Sequence, residues 1–218
     1  MPNWCFTQMI FHGEKEEIKD LHSKIEEWTS KNYRENGFGH GWLGNVLHGA
    51  GFGDRIDSGA NQLRCRGDIT YLGEVDTFEE SDEATFNLDT ETAWAPMCLM
   101  WSEVIDSLDY KTVGFSYCAE EPGLEIYETY DPYGDFSDKY YIDIYICGED
   151  EQNKALMEIF DTREYCDDDD LRDALQKLLK TDENDMKTLI KLAENYEFKN
   201  NDTYLYVREY YFVDEPTG

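Results

Sequence analysis

The chain of 218 residues carries 19 Lys and Arg against 49 Asp and Glu, a formal net charge of −30, and 15% of its residues are aromatic. The aromatic content supports a folded core and excludes an acidic disordered tail as the description of most of the chain. The charge excludes non-specific nucleic-acid binding, which depends on Lys and Arg neutralising phosphates, and it disfavours contact with anionic lipid.

Nearly all of the negative charge follows residue 67. Residues 1–67 hold 8 basic and 9 acidic residues, so residues 68–218 hold 11 and 40 and a net charge of −29. A field of this sign attracts basic protein surfaces. No apolar run approaches the roughly 20 residues of a membrane span, and the N-terminus resembles no signal peptide. We therefore expect an intracellular, cytoplasmic protein without a membrane partner.

Six cysteines are scattered along the chain without a Cys-x-x-Cys pair. Buried thiols are the favoured interpretation, and a metal site or a disulfide framework is the alternative. We predict no cofactor and no metal.

The chain opens with a strand and a helix. Asn3 to His12 predicts a strand that Gly13 ends. Glu14 to Ser30 predicts an amphipathic helix, because its apolar positions follow helical spacing: Ile18, Leu21, Ile25 and Trp28.

Residues 36–61 hold eight of the 16 glycines and predict a long irregular insertion with a short helix from Trp42 to Leu47. A phosphate-binding loop is a weaker interpretation, because the GK[ST] ending of a P-loop is missing. His40 and His48 allow a zinc pair, but loop histidines without a ligand are favoured.

Gln62 to Val75 predicts a strand in which Arg64 and Arg66 lie two residues apart and share one face. Paired arginines can grip a carboxylate or a phosphate, or they can form ion pairs with acidic neighbours. They are the best candidates for a polar anchor. Asp76 to Glu83 predicts a solvated acidic turn.

The stretch 84–118 completes the predicted sheet. A strand (84–92) is followed by a corner at Trp94 to Pro96, an apolar-striped helix (97–108) and a strand (112–118). With the first half, this gives the order βαββαβ of a ferredoxin-like α+β fold, an antiparallel sheet with two helices on one face. The fold name implies no iron–sulfur cluster.

Four short motifs occur in a fixed order: MPNWC at the N-terminus, RCRG in a predicted strand, TAWAP at the corner and EEPG before a tyrosine-rich strand. Together they resemble the YubB-type ferredoxin-like family of plasmids, phages and gut-bacterial mobile elements, over about residues 1–147. The segment 36–61 departs from the plasmid members. The resemblance implies a fold and a genomic setting but no mechanism, since the family has no established activity.

The remaining chain predicts an extension of the same sheet. Leu124 to Tyr130 and Tyr140 to Cys147 form a predicted β-hairpin, followed by helices at 150–160, 168–180 and 184–196 and a strand from Thr203 to Val213 that returns to the sheet. We predict a ferredoxin-like domain at 1–147, and a helical extension at 148–213 packed as one unit with it.

These observations favour a non-enzymatic protein that binds a basic surface of a host protein, as a nucleic-acid mimic or an inhibitor of host defence or nucleic-acid-binding machinery. The alternative is a metal-dependent or small-ligand-binding enzyme that uses Arg64, Arg66 and nearby carboxylates. A third class acts through tyrosines near the hairpin (Tyr127, Tyr130, Tyr133, Tyr140, Tyr141, Tyr145).

We predict no catalytic residue. The candidate binding residues are Arg64, Arg66, Trp94, Glu120, Glu121, Asp131 and Tyr133. The candidate acidic surface consists of Asp76, Glu79, Glu80, Asp82, Glu83, Asp167, Asp168, Asp169 and Asp170.

Overall fold

The structure, a computed structural model, describes residues 3–31, 38–56, 61–148, 151–199 and 202–218. Residues 36, 37 and 57–60 of the predicted Gly-rich insertion lie outside the described residues. Within those ranges the protein is α+β, and the chain forms two compact units. Unit 1 comprises the chain up to Phe136 and again from Phe212 to Gly218, and unit 2 comprises Ser137–Tyr211.

The elements follow in chain order. Unit 1 contains β1 (Trp4–Glu14), α1 (Lys15–Thr29), α2 (Leu43–Gly49), β2 (Gly67–Leu72), β3 (Asp76–Thr77), β4 (Glu83–Ala93), α3 (Leu99–Ser107), β5 (Gly114–Glu121) and β6 (Ile126–Tyr130). Unit 2 contains β7 (Tyr140–Tyr145), α4 (Glu151–Ile159), β8 (Glu164–Tyr165), α5 (Asp168–Leu179), α6 (Met186–Glu194) and β9 (Tyr204–Glu209). The short β10 (Tyr211–Phe212) ends the series.

The large sheet has the strand order β10-β6-β5-β1-β4-β2, with β3 also paired to β4. Pairing is antiparallel between β1 and β4, β1 and β5, β2 and β4, and β5 and β6. Strand β1 lies between β5 and β4, and its alternation places Cys5, Met9 and Phe11 on one buried face. The ring of Phe11 stacks on Phe86 of β4 at 4.7 Å.

Helices cover that face of the sheet. The predicted stripe of α1 is buried, and Trp101 of α3 meets the Phe11 ring edge-on at 5.4 Å. The core also includes Leu43 and Leu47 of α2. The other face of the sheet carries no helix from unit 1 in the described ranges, and its polar and aromatic side chains form the surface considered below.

The corner after β4 is tighter than predicted, so α3 begins at Leu99 and not at residue 97. Trp94 and Met97 both have left-handed backbones, with φ of 69° and 56°. The Thr92 hydroxyl donates to the Ala95 carbonyl at 2.5 Å, which closes the turn. A left-handed residue ends helical geometry, so the helix starts after Met97.

The predicted strand at 62–75 is shorter, because its first residues have other partners. The Leu63 N–H donates to the Arg55 carbonyl at 3.1 Å, and the Gly67 N–H donates to the Cys65 carbonyl at 3.0 Å. Only Gly67–Leu72 therefore joins β4 as β2, and Arg64 and Arg66 lie in the irregular segment before it.

The segment 212–218 belongs to unit 1. The Val213 N–H donates to the Thr129 carbonyl at 2.8 Å, and the Leu99 N–H at the start of α3 donates to the Thr217 carbonyl at 3.0 Å. The Thr217 N–H donates to the Tyr117 hydroxyl at 3.1 Å. This segment thus supplies hydrogen bonds to both the sheet and α3.

Unit 2 has its own three-stranded sheet, in the order β8-β7-β9, and its own core. Ile142 and Ile144 of β7 are buried with leucines of the three helices, including Leu156, Leu171 and Leu189. The predicted helices are present with slightly shorter bounds. Strand β8 was not predicted, since two residues carry no alternation.

The predicted hairpin of 124–130 with 140–147 is wrong. Strand β6 pairs with β5 in the large sheet, whereas β7 pairs with β9 along six residue pairs. The Asp131 carboxylate accepts N–H groups of Gly134, Asp135 and Phe136, so the chain turns after β6 without a hairpin.

The predicted returning strand, Thr203 to Val213, splits at Tyr210 into two strands with different partners. Strand β9 pairs with β7 in the small sheet, and β10 belongs to the large sheet. The units consequently divide at 136/137 and 211/212, where the sequence predicted 147/148.

Candidate functional site

The candidate site is the sheet face opposite the helices of unit 1. On β1 this open face carries the residues that alternate with the buried ones, beginning with Trp4 and Phe6. The pairing register aligns Phe6 with Glu91 of β4 and with Glu120 of β5, and it aligns Glu91 with Asp68 of β2. One row across four strands therefore reads Asp68, Glu91, Phe6, Glu120. Directly opposed residues on one face have Cβ atoms about 4.5–5.5 Å apart.

The next row adds Asp89, which aligns with Gln8 of β1 and with Tyr71 of β2. We call Asp68, Asp89, Glu91 and Glu120 the acidic face. Exposed aromatic side chains lie among these acids, with 39% of Phe6 and 54% of Tyr71 accessible to solvent. Aromatic groups exposed beside charges are typical of binding surfaces.

Two carboxylates of the acidic face are partly desolvated. Burial raises the pKa of the Asp68 and Asp89 carboxyl groups above their usual value. Among the described residues, neither side chain has a hydrogen-bond or ion-pair partner. Partial burial without a partner disfavours the charged form of a carboxyl group, so a cation that reached these side chains would favour that charged form.

An aromatic pocket of about 460 Å³ lies at one end of the face, lined by Trp4, Phe38, Trp42, Cys65, Arg66, Gly67 and Asp68. Phe38 stacks on Trp42 with 4.7 Å between ring centroids. The Arg66 guanidinium lies 4.7 Å from the centre of the Trp94 ring. A Cβ on Gly44 would lie 2.2 Å from the Trp42 ring, so the glycine is needed where α2 meets this wall.

A second cavity, of about 610 Å³, lies at the opposite end of β1. The His12 ring stacks on Tyr133 at 4.3 Å, and its Nε2 lies 2.8 Å from Asp135 Oδ2. Acidic side chains of Glu14, Asp82 and Glu83 line the same cavity. Carboxylates thus lie near both ends of the open face, with Ile10, Asn87 and Ser116 between them.

The structure brings together three of the predicted binding residues and separates the others. Arg66 and Trp94 are in contact, and Glu120 lies on the acidic face. Arg64 shares the exposed side of its segment but lines a different pocket, with Met97, Leu99 and Met100. The two predicted arginines therefore do not line the same pocket.

Glu121, Asp131 and Tyr133 are held by local structure. The buried Glu121 carboxylate accepts the N–H groups of Gly123 and Leu124 in the β5–β6 turn. Although burial raises the pKa of Asp131, its backbone N–H donors outweigh burial and hold the pKa below the usual value. Tyr133 positions the His12 ring.

The two predicted acidic clusters differ in role. Asp76 lies in β3, opposite Thr85 of β4. The residues that follow it in the cluster are exposed: Glu79, Glu80, Asp82 and Glu83. In unit 2, Asp167 caps α5 by accepting from Asp169 and Asp170 N–H groups at 2.9 Å, and Asp168 bonds Lys139 Nζ at 2.6 Å. Asp169 pairs with Arg172. Most of the second cluster is therefore bound within its own unit.

Among the hairpin tyrosines, Tyr127 and Tyr140 are buried, whereas Tyr133 and Tyr145 are exposed. They do not form the single surface considered from the sequence, since Tyr127 and Tyr133 lie in unit 1 and Tyr140 and Tyr145 in unit 2.

Sequence reasoning missed Trp4, Phe6, Asp68, Asp89 and Glu91. The alternation of NWCFTQMIFH and of ATFNLDTETA contained the signal, because it separates Cys5 and Met9 from Phe6, and Leu88 from Asp89. Which strands are neighbours, and hence which acids form a row, depends on the pairing register.

Two searches of the described residues gave negative results. No three His, Cys, Asp or Glu side chains there are grouped to hold a metal ion. No helix there is both long and apolar enough to cross a membrane.

Comparisons of the chain with protein families, with curated proteins and with solved structures gave no match. The resemblance to the YubB-type family stays a prediction from the motifs.

Proposed function

We propose that the protein acts by binding, and that the acidic face docks onto a basic surface of a partner protein. The observation that carries this proposal is the row of Asp68, Glu91 and Glu120 around Phe6, with Asp89 beside it. Strands β1, β2, β4, β5 and β6, all within the described ranges, contain no Lys or Arg that could neutralise these acids. Complementary charge steers association, and a central aromatic side chain adds apolar contact.

The surrounding sequence strengthens the field. Residues 68–136 contain 18 Asp and Glu and a single basic residue, Lys111, which pairs with Asp109. Acids at this density produce a negative potential that extends to about a Debye length, near 8 Å at physiological salt. A basic partner is therefore favoured over an anionic one.

A nucleic-acid-binding protein is the partner class that we propose. Adjacent strands lie about 4.8 Å apart and side chains of one face repeat about every 6.7 Å along a strand, so the acids form a rigid array of negative groups. Such an array can occupy a groove that binds phosphates. The resemblance to mobile-element and phage proteins favours a partner in host defence or host nucleic-acid-binding machinery.

A charge-matched pair of variants tests the proposal. One variant carries Asp89→Asn and Glu91→Gln, and the control carries Glu16→Gln and Asp106→Asn on helices of unit 1. Both changes remove two exposed or half-exposed acids that have no side-chain partner among the described residues. We expect the acidic-face variant to weaken binding of a fluorescent deca-arginine peptide about fivefold, since each exposed charge pair contributes about 0.2–1 kcal/mol.

Equal loss in the two variants would show that only net charge matters and would contradict the proposal. A pull-down of host nucleic-acid-binding proteins with the same two variants extends the test. Binding should also fall with added salt, because exposed charge pairs are screened.

We further propose that β1, α1, β2, β4, α3 and β5 form a ferredoxin-like βαββαβ arrangement. The strand order β5-β1-β4-β2, with antiparallel neighbours, supports this assignment. A cytoplasmic location is also part of the proposal. It is supported by the cysteines, all of which are described and none of which forms a disulfide.

A further inference from the structure

The pocket at the end of the acidic face has the features of a small-molecule site. Its volume of about 460 Å³ lies in the range of about 300–1,000 Å³ that is usual for ligand pockets. The exposed rings of Trp4 and Phe38 provide apolar walls, the buried Trp42 ring stacks on Phe38, and two polar groups, those of Arg66 and Asp68, face the same space. Apolar walls with a few converging polar groups are the usual composition of such sites.

Arg66 is positioned but not neutralised. Its guanidinium lies over the Trp94 ring, 4.7 Å from the centroid, which is the distance of a cation–π contact. Within the described part of the chain the Arg66 side chain forms no ion pair and no hydrogen bond. Its N–H donors are therefore available to an acceptor in the pocket, and a planar fork of donors suits a pair of acceptors.

Asp68 offers the complementary group. It lies two residues from Arg66 on the same side of the chain, and its carboxylate likewise has no partner in the described ranges. Asp68 is exposed, so its carboxylate is accessible to a pair of donors on a ligand in the pocket. A Cβ on the intervening Gly67 would lie 2.3 Å from the Glu91 carbonyl oxygen, so the backbone here is pressed against β4.

We propose that this pocket binds a guanine base, as the free base or the nucleoside. Guanine presents two acceptors, O6 and N7, that match an arginine fork. Its N1–H and N2 amino group are donors that match a carboxylate. The ring stacks on the aromatic walls, and base–aromatic stacking suits any flat base, so the polar edges decide which base is held.

Charge selects an uncharged ligand. Arg66 and Asp68 offset each other within the pocket, and the neighbouring Glu91 and Glu120 add negative potential. A phosphate group on the ligand would meet this potential. We therefore expect guanosine to bind more tightly than guanosine monophosphate.

Calorimetric titration with nucleosides tests the assignment. Guanosine should bind, and inosine, which lacks the 2-amino group, should bind about tenfold more weakly, because it loses a hydrogen bond to a charged carboxylate. Adenosine lacks O6 and N1–H and should also bind about tenfold more weakly. Shifts of the tryptophan indole N–H signals in NMR spectra would locate the ligand.

Matched variants connect binding to the two polar groups. Arg66→Met and Asp68→Asn should each weaken guanosine binding about tenfold or more, and Asp68→Asn should reduce the preference for guanosine over inosine. Arg64→Met is the control, since Arg64 is exposed but lines a different pocket. Circular dichroism checks that each variant is folded.

Three outcomes would overturn the proposal: no binding of guanosine up to its solubility limit, equal binding of guanosine and adenosine, or binding that Arg66→Met and Asp68→Asn leave unchanged. This inference does not depend on the proposed protein partner. The Asp89 and Glu91 variant leaves the pocket residues intact, so either proposal can fail without the other.

Discussion

The two units are both strongly acidic, but they use their acids differently. Residues 137–211 of unit 2 contain 20 acidic and 10 basic residues, whereas residues 68–136 of unit 1 contain 18 acidic residues and one Lys. In unit 2 the acids form local contacts, such as Asp168 with Lys139 and Asp143 with Arg208. In unit 1 the acidic face lies on strands that hold no Lys or Arg.

The difference shows why net charge alone is a poor indicator of function. Acids that cap helices or pair with neighbouring bases are explained by the stability of their own unit. Asp68 and Asp89 lie on an open sheet face, are partly desolvated and have no side-chain partner among the described residues, so they contribute nothing evident to stability. Such residues are better candidates for binding than the densest acidic run, Asp167 to Asp170, which the sequence made prominent.

The largest expected effect tests whether each unit has its own core. Trp101→Ala should lower the free energy of unfolding by about 3–5 kcal/mol in urea denaturation, because a large buried ring is lost. Leu99→Ala, at an exposed position of the same helix, is the control and should change it by less than about 0.5 kcal/mol. Hydrogen exchange should speed up in β1 and β4 and stay slow in β7 and α5. Equal loss of protection in both units would contradict the division.

Asp167→Ala tests the structural role of acids in unit 2. Its carboxylate accepts two backbone N–H groups at the start of α5, so the variant should lose about 1 kcal/mol of stability. Asp170→Ala removes the same charge from the same turn without removing a side-chain hydrogen bond, and should have a smaller effect. Deca-arginine binding should be similar for the two variants, and a selective loss in Asp167→Ala would weaken the contrast between the units.

Glu17→Gln examines a stabilising acid within unit 1. The Glu17 carboxylate accepts the Thr112 hydroxyl at 2.6 Å and the Lys111 N–H at 3.0 Å, and these bonds lower its pKa. Because the folded state holds the proton less tightly, its contribution is present above the unfolded pKa and is lost as pH falls through the folded value. We expect a loss of roughly 0.5 kcal/mol at neutral pH, given its exposure, that disappears in acid.

Asp89→Asn should give the smallest effect and the opposite sign. Burial raises the pKa of Asp89, so the folded state binds its proton more tightly and stability falls as pH rises through the carboxyl range. The variant should therefore be more stable than the wild type by about 0.3 kcal/mol at neutral pH and equal to it in acid. Thermal unfolding across pH measures both, with Asp106→Asn as the exposed control. Destabilisation at neutral pH would mean that Asp89 has a stabilising role.

The periodic spacing of hydrophobic residues was sufficient to locate most of the helices and strands. The stripe of Ile18, Leu21, Ile25 and Trp28 located α1, and the alternation of β1 and β4 located the two longest strands. These signals are local, since they require only that one face be buried. The coarse class, α+β, followed from them.

Pairing between distant segments was not accessible to the same reasoning. Strand β7 alternates as an extension of the large sheet would, yet its partner β9 lies more than fifty residues further along the chain. The prediction of the candidate site was incomplete for the same reason. Arg66 and Trp94 were identified singly, but the row through Phe6 and the pocket wall from Phe38 depend on which strands and loops become neighbours.

The hydrogen bonds of Thr217 and Val213 have a consequence for synthesis on the ribosome. Unit 2 is continuous in sequence, whereas unit 1 needs residues 212–218 to complete its sheet edge and the start of α3. Nascent domains fold once their whole sequence has emerged. The second unit to be translated is therefore expected to finish folding first, and the earlier one must wait, incomplete, for a segment made some seventy-five residues later.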